Sequence, residues 1–273
     1  MPSRPVRLKS EIRDTIRNSV DAVAADFLAT TARMPRLARA IVPGFPHHVT
    51  QRGNRRQQTF FHDDDYVRYL KLMAKWCERY RVDIWAYCLM PNHTHLIAVP
   101  ETADGLRRAI GEAHRRYTAE VNHREGWTGC LWQGRFSSFV MDERYLLTAA
   151  RYVELNPVRA GLVAHPKEYP WSSARAHLLG RDDGLVTTAP LLARVDDWSA
   201  FLGAGAPPEA ADELRSHERT GRPLGSDDFV DDLERLLNRV LRRRKSGPVR
   251  HSAGDNAVSQ ESRPLRSGKR GVA

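Results

Sequence analysis

His93 and His95 stand one residue apart at the start of an apolar run, in Pro91-Asn92-His93-Thr94-His95-Leu96-Ile97-Ala98-Val99-Pro100. Such a run is expected to form a β-strand, on which residues i and i+2 project from the same face. Both imidazoles then aim at one place while Thr94 turns away, and two converging imidazoles can hold a divalent cation. The same spacing equally suits two hydrogen-bonded structural histidines. Leu96-Ile97-Ala98 follows with no carboxylate, which disfavours a zinc hydrolase of the HxHxDH type. His47 and His48 are adjacent, so on a strand they face opposite ways and only one of them can approach the pair.

A nucleophile is offered by Arg151-Tyr152-Val153-Glu154-Leu155-Asn156-Pro157. This stretch is expected to end a helix that Asp142 caps and Pro157 stops. Tyr152 and Asn156 are four apart and share a helical face, with Ala149 and Tyr145 on it one and two turns earlier. A phenol and an amide oxygen would then approach one spot. The alternative is a buried aromatic above a capping Asn, because Asn before Pro is a common helix stop.

The elements that would position these groups follow from periodicity. Residues 45–52 (Phe-Pro-His-His-Val-Thr-Gln-Arg) read as a first strand, ended by Gly53-Asn54. Asp63, Asp64 and Asp65 suit a helix N-terminus, and Val67, Leu70, Met73, Ala74 and Cys77 form its apolar stripe. Strands are expected over 82–89 and 93–99, a second helix over 105–121, a fourth strand over 135–141 and a third helix from Asp142. The order β-α-β-β-α-β is that of an α+β, ferredoxin-like core: an antiparallel sheet backed by helices on one face.

Before this core, residues 1–33 read as a basic, partly helical extension with Ile12, Ile16, Val20, Val23 and Phe27 at helical spacing. The core itself spans 34–180. Residues 181–245 are a helical accessory segment, in which 208–219 and a helix capped by Ser226 flank the turn Thr220-Gly221-Arg222-Pro223-Leu224-Gly225. That pair is either a helix-turn-helix or a helical hairpin packed on the core. Arg242, Arg243, Arg244 and Lys245 end it with four consecutive positive charges. Residues 246–273 read as a disordered basic tail.

The 273 residues carry 43 Lys plus Arg against 33 Asp plus Glu, a net charge of +10. That surplus suits a polyanionic partner, since phosphate contacts release condensed counterions. Cys77, Cys88 and Cys130 are odd in number and lack CxxC spacing, which argues against a disulfide scaffold or zinc ribbon. No apolar run approaches the ~18 residues of a membrane span, and the N-terminus lacks an apolar signal core. The expectation is a cytoplasmic, nucleoid-associated protein.

His93-Thr94-His95 resembles the HUH motif of single-strand DNA nucleases, with Thr94 a less apolar middle residue than usual. The surrounding text is similar, more specifically, to the REP-associated tyrosine transposases, a branch of the bacterial single-tyrosine transposases. The likeness is carried by Met34-Pro35-Arg36-Leu37-Ala38-Arg39, His47-His48-Val49-Thr50-Gln51-Arg52-Gly53-Asn54 and Ala86-Tyr87-Cys88-Leu89-Met90-Pro91-Asn92-His93-Thr94-His95. It continues in Trp132-Gln133-Gly134-Arg135-Phe136 and Tyr152-Val153-Glu154-Leu155-Asn156-Pro157-Val158-Arg159-Ala160-Gly161, in order over about 34–180. The resemblance implies Met34 as a usual family start.

What the resemblance implies is a metal-dependent endonuclease and strand transferase. Tyr152 is its nucleophile, His93 and His95 are metal ligands, and Asn156 stands where relatives place a Gln ligand. The ion would be Mg²⁺ or Mn²⁺, with Mn²⁺ the better match to imidazole. Attack by Tyr152 would leave a 5′-phosphotyrosine and a free 3′-OH on single-stranded or hairpin DNA. Arg52, Arg55, Arg56, Arg115, Arg116 and Arg135 could follow the phosphates, and Trp132 and Phe136 could stack on bases; each equally suits a structural surface role. The basic run 242–245 is a further DNA-contact candidate. Two alternatives stand beside this: a domesticated protein that binds palindromic repeats without cutting, and a hydrolase using water. A homodimer is compatible with the sequence, which leaves open whether Tyr152 completes its own site or a partner's.

Overall fold

The computed structural model describes residues 39–205 and 208–242. The expected helix within 1–33, residues Arg243, Arg244 and Lys245, and the tail 246–273 lie outside the described residues. Four strands form one antiparallel sheet: β1 (His47–Arg52), β2 (Val82–Met90), β3 (His93–Pro100) and β4 (Ser137–Val140), in the order β2-β3-β1-β4. Helix α1 (Asp63–Arg79) joins β1 to β2, and α2 (Gly105–Glu125) joins β3 to β4. This is the split β-α-β-β-α-β arrangement expected of an α+β ferredoxin-like core.

The aspartates of 63–65 form the first turn of α1 rather than its cap, which is His62. The Asp65 carboxylate reaches back to accept the N–H groups of Phe61 and His62, and Arg124 of α2 pairs with it. Helices α1 and α2 cover one face of the sheet. Tyr69, Met73, Leu106, Ile110 and Tyr117 bury there against Val49, Leu89, Leu96 and Ala98. Thr94 points into this layer and is buried, so its neighbours His93 and His95 project from the other face.

That other face is covered as well, which corrects the expectation of helices on one face only. Helix α3 (Glu143–Glu154) lies across it, with Leu146, Ala149, Tyr152 and Val153 packed on Ala86, Cys88, Met90 and Ile97. Strand β2 alternates between both layers, and a bulge between Ile84 and Ala86 switches which residues face which layer. The extra residue lets Val82 and Ile84 share a face with Tyr87 and Leu89, out of simple alternation. Pro157 does not merely stop α3. It lies in the first turn of a short helix α4 (Asn156–Arg159), where its missing N–H has no intrahelical partner to lose.

The accessory segment packs on the sheet. Short helices α5 (Ala174–Leu179), α6 (Ala189–Leu192) and α7 (Trp198–Gly203) follow the core. Then α8 (Pro208–Thr220) contacts β4, β1 and α3. The turn after α8 is joined to the end of β4: Leu224 N–H donates to Val140 C=O, and Asp142 N–H donates to Leu224 C=O. Helix α9 (Asp227–Leu236) buries Val230 and Leu233, the latter against Ala40, Val42 and Val140. The two helices are therefore a hairpin docked on the core rather than a projecting helix-turn-helix. Among the described residues no helix is long and apolar enough to cross a membrane.

His114 of α2 gives a stability test. Its ring is buried, stacks on Trp132 and lies 2.8 Å from the Tyr69 hydroxyl through Nε2. Burial lowers its pKa from 6.5 to about 3. The unfolded chain takes up this proton below pH 6.5 and the folded chain does not, so His114 stabilises above that pH and the stabilisation is lost as pH falls toward 3. Denaturant unfolding of His114→Gln should show a shallower fall in stability between pH 6 and 4 than the parent, by about 1.4 kcal/mol per pH unit.

Candidate nucleic-acid cleft and metal site

The site is built on the face opposite Thr94. Strand β1 pairs with β3 so that Arg52 faces His93, Thr50 faces His95 and His48 faces Ile97. Directly opposed residues share a face, and diagonal neighbours lie within reach of aromatic rings. His48 and His95 thus meet: their rings lie parallel within 6°, with His48 Nε2 3.2 Å from His95 Nδ1. His93 sits at the strand entrance with its ring centroid 4.9 Å from that of His95. Asn92 Oδ1, 2.6 Å from His93 Nδ1, accepts its proton and so leaves Nε2 as the free acceptor.

Burial keeps these rings neutral. It lowers the pKa of His93 to about 4, with help from the Arg52 charge, and that of His48 to about 3. His95 is held well below 6.5 by burial first, then by the surrounding positive groups. A neutral imidazole has a lone pair for a cation. His47 faces the other way, accepts the N–H of Val42 and donates to Phe45 C=O. It is structural.

Tyr152 reaches the histidines from α3. Its ring centroid is 5.6 Å from His95 and 6.1 Å from His48, edge-on to both. The Arg159 guanidinium lies 4.6 Å from the same ring centroid. The tyrosine is buried except where it lines a cleft of about 910 Å³. Arg39, Arg52, Arg56, Arg135, Arg215 and Arg219 also line this cleft. Arg55 and Arg56 form its rim turn with φ of 52° and 63°, a left-handed conformation that costs non-glycine residues energy and that often marks functional loops. Gly53 before them has no room for a side chain, since a Cβ would lie 2.2 Å from Gln57 O.

The structure therefore brings Tyr152, His93, His95, Arg52, Arg56, Arg135 and Phe136 to one cleft, with Arg55 beside it. Among the described residues, the other candidates lie elsewhere. Asn156 opens α4 beyond the helix break at Leu155 and does not line the cleft. Trp132 is a core residue, packed among Phe60, Tyr69, His114 and Tyr117. Arg115 and Arg116 project from α2 on the opposite side of the sheet and pair with Glu112. Arg242 clamps α9 through Asp227, Asp231 and Glu234. Phe136 lies in the cleft with one face taken by Arg39, whose guanidinium is 3.8 Å from its centroid.

Four cleft residues, Arg215, Glu218, Arg219 and Thr220, come from α8, and none of them was expected at the site. Glu218 Oε1 lies 3.7 Å from a nitrogen of His48 and 3.7 Å from one of His95. Burial raises its pKa to about 7, against the pull of Arg52, Arg215 and Arg159. His48, His95 and Glu218 form a group in which one donor atom from each lies within 4.8 Å of the others. Among the described residues, His48 Nδ1 and Glu218 Oε1 have no hydrogen-bond partner. Nitrogen and carboxylate donors with unused lone pairs, gathered at this spacing, fit a divalent cation.

The end of α3 is fixed by a buried network. Glu154 Oε1 accepts hydrogen bonds from Ser173 Oγ and His177 Nδ1, both at 2.6 Å, and Oε2 accepts from Trp198 Nε1 at 2.8 Å. Each carboxylate oxygen is satisfied, so a fully buried acid is tolerated two residues from Tyr152.

Comparison with known proteins bears on the segment that carries this site. A family model described as "Transposase IS200 like" matches residues 42–156. A Haemophilus influenzae protein named "Putative REP-associated tyrosine transposase" is 28% identical over 121 residues, which cover 40% of this chain and 69% of that protein. A solved structure described as a REP-associated tyrosine transposase bound to a REP hairpin is similar with a TM-score of 0.44 and 22% identity, over 56% of this chain and 92% of that one.

Removing the Glu154 carboxylate should destabilise the fold next to Tyr152. Glu154→Ala is expected to lower unfolding free energy by about 3–5 kcal/mol, since three buried donors lose their acceptor. Glu154→Gln, which places an amide N–H₂ where an acceptor is needed, should lose about 1–3 kcal/mol. Chemical denaturation measures both.

Proposed function

We propose that the chain, whose residues 42–156 match the model described as "Transposase IS200 like", is a divalent-metal-dependent endonuclease and strand transferase acting on single-stranded or hairpin DNA through Tyr152. One observation carries the reading: a tyrosine and a histidine cluster share the floor of a cleft lined by six arginines. A phosphodiester repels nucleophiles by its charge, and guanidinium groups both neutralise that charge and hold the backbone. Hairpin-forming DNA is the substrate class that the sequence resemblance implies, and the similarity to a relative named as REP-associated agrees with it.

Each group has a task that its position suits. Arg52, Arg56 and Arg135 bind the phosphates of the strand entering the cleft. Phe136, backed by Arg39, offers an apolar edge to a base. His95 and His93 present neutral imidazoles for Mg²⁺ or Mn²⁺. Bound there, the ion would polarise a non-bridging oxygen of the scissile phosphate. Tyr152 attacks phosphorus: its Oη–P bond forms, the bond from phosphorus to the 3′-oxygen breaks, and that oxygen leaves as a 3′-OH. Arg159 sets positive charge against the ring that gains negative charge as it loses its proton. The phosphotyrosine conserves the ester, so a second 3′-OH can reverse the step and join a new strand.

Two measurements test this. A labelled single-stranded hairpin oligonucleotide with Mn²⁺ should give a covalent protein–DNA band on denaturing gels, and Tyr152→Phe should abolish it. Cleavage that persists in Tyr152→Phe would mean water is the nucleophile, and binding without cleavage in any metal would mean a non-cutting protein. Separately, Arg52→Ala and Arg135→Ala should each weaken oligonucleotide binding several-fold and reduce the salt slope by about 0.7. Arg115→Ala, on the far side of the sheet, should change affinity less than twofold.

A further inference from the structure

Gln51 lines the cleft, is 3% exposed and takes no part in the chemistry above. Its Nε2 donates to the C=O groups of Gly134 at 3.3 Å and Arg52 at 3.4 Å. Both neighbours are acceptors, which fixes the amide with its nitrogen toward them and its oxygen away. Among the described residues that oxygen, Oε1, has no hydrogen-bond partner, a costly and uncommon state for a buried acceptor. Ser138 Oγ, which also lines the cleft and is equally buried, is likewise unpartnered there. Strand pairing sets Val49 opposite Ser138 and Thr50 opposite Ser137, so the next pair in that register is Gln51 with Phe136. Directly opposed side chains have Cβ atoms about 4.5–5.5 Å apart. The amide thus stands beside the ring that the cleft offers to a base.

We propose that Gln51 is a base-reading residue, whose Oε1 accepts a hydrogen bond from the exocyclic amino group of an unpaired nucleobase lying against Phe136. The inference rests on the single-stranded or hairpin DNA reading above and adds a sequence requirement to it. Arginines on phosphates hold a strand without reading it, whereas a fixed acceptor at a base edge discriminates. Adenine, cytosine and guanine each present an amino group. Thymine sets its one N–H between two carbonyl oxygens, which an amide oxygen repels. The Ser138 hydroxyl can donate or accept, so it suits whichever polar atom lies next to that amino group. Arg39 holds the platform: its Nε and Nη2 donate to Phe136 C=O at 3.1 and 2.6 Å, and its guanidinium covers one face of the ring. Amide and ring are both held in place before the strand arrives, which lowers the entropy cost of reading it.

The test is selection, by binding to the full-length protein, from hairpin oligonucleotides whose unpaired flanks are randomised. At one flank position an amino-bearing base should be preferred over thymine at least about fivefold, the low end of what an unpaired buried acceptor costs. Gln51→Met, similar in size but without the acceptor, should erase the preference at that position, keep those at other positions and leave the salt dependence of binding unchanged. Melting temperature shows whether the variant is folded. A second arm needs no variant: on the parent, the preferred base is replaced by its analogue with hydrogen for the amino group (purine for adenine, 2-pyrimidinone for cytosine, inosine for guanine). Affinity should fall by the same factor. A parent indifferent to base identity, a Gln51→Met variant with the parental preference, or an analogue bound as tightly as the natural base overturns the proposal. The covalent-adduct assay on the parent separates this inference from the reading it rests on. An adduct without base preference discards the reader and leaves the function. A base preference without an adduct in any metal discards the function and leaves the reader.

Discussion

The antiparallel pairing of β1 with β3 is the constraint on which the site depends. Strand side chains alternate, so a shift of one residue in this pairing would turn every group to the other face. With Thr50 opposite His95 and Arg52 opposite His93, the cleft face receives His48, Arg52, His93 and His95 together. The helical layer receives His47, Val49, Thr94 and Leu96. Thr94 is buried against that layer, and Val49 and Leu96 belong to its core. The apolar pattern that stabilises the domain is therefore the same pattern that points the histidines out.

The second layer does for Tyr152 what the strand pairing does for the histidines. Helix α3 is packed on the sheet along Leu146, Ala149 and Val153. Its last turn is held by the hydrogen bonds that Glu154 accepts from Ser173, His177 and Trp198. A carboxylate buried this deeply is stable only when its lone pairs are all used, so the network is sensitive to any change among its members. The phenol ring is then set edge-on to two neutral imidazoles by packing.

Much of the core was readable from periodicity. The element order follows from alternating and helical stripes, and the two-residue spacing of His93 and His95 sets their shared face without reference to anything else. The misplacements have separable causes. The stripe of α3 continued through Asn156 on paper, but the helix breaks at Leu155. Trp132 and Phe136 are both aromatics near Arg135; only the helix layer decides that the first is enclosed by Tyr69 and Tyr117 while the second reaches the cleft. Arg115 and Arg116 are basic like Arg52, yet the side of the sheet they occupy depends on how α2 crosses it. The bulge at Trp85 carries no glycine or proline to mark it. Glu218 was the hardest to foresee, because it reaches His95 across 123 positions of chain through a helix whose sequence looks like an ordinary charged surface.

Asp142 has two oxygens in two employments. One caps α3 by accepting the N–H of Tyr145, and the other accepts the N–H of Ser226 ahead of α9. Gly225 beside it has no space for a side chain, since a Cβ would lie 2.9 Å from the same carboxylate. One residue thus carries the start of the tyrosine helix and the anchoring of the C-terminal hairpin. Over evolutionary time the two parts of the chain cannot drift freely past each other here. An exchange of the accessory segment would have to keep this junction.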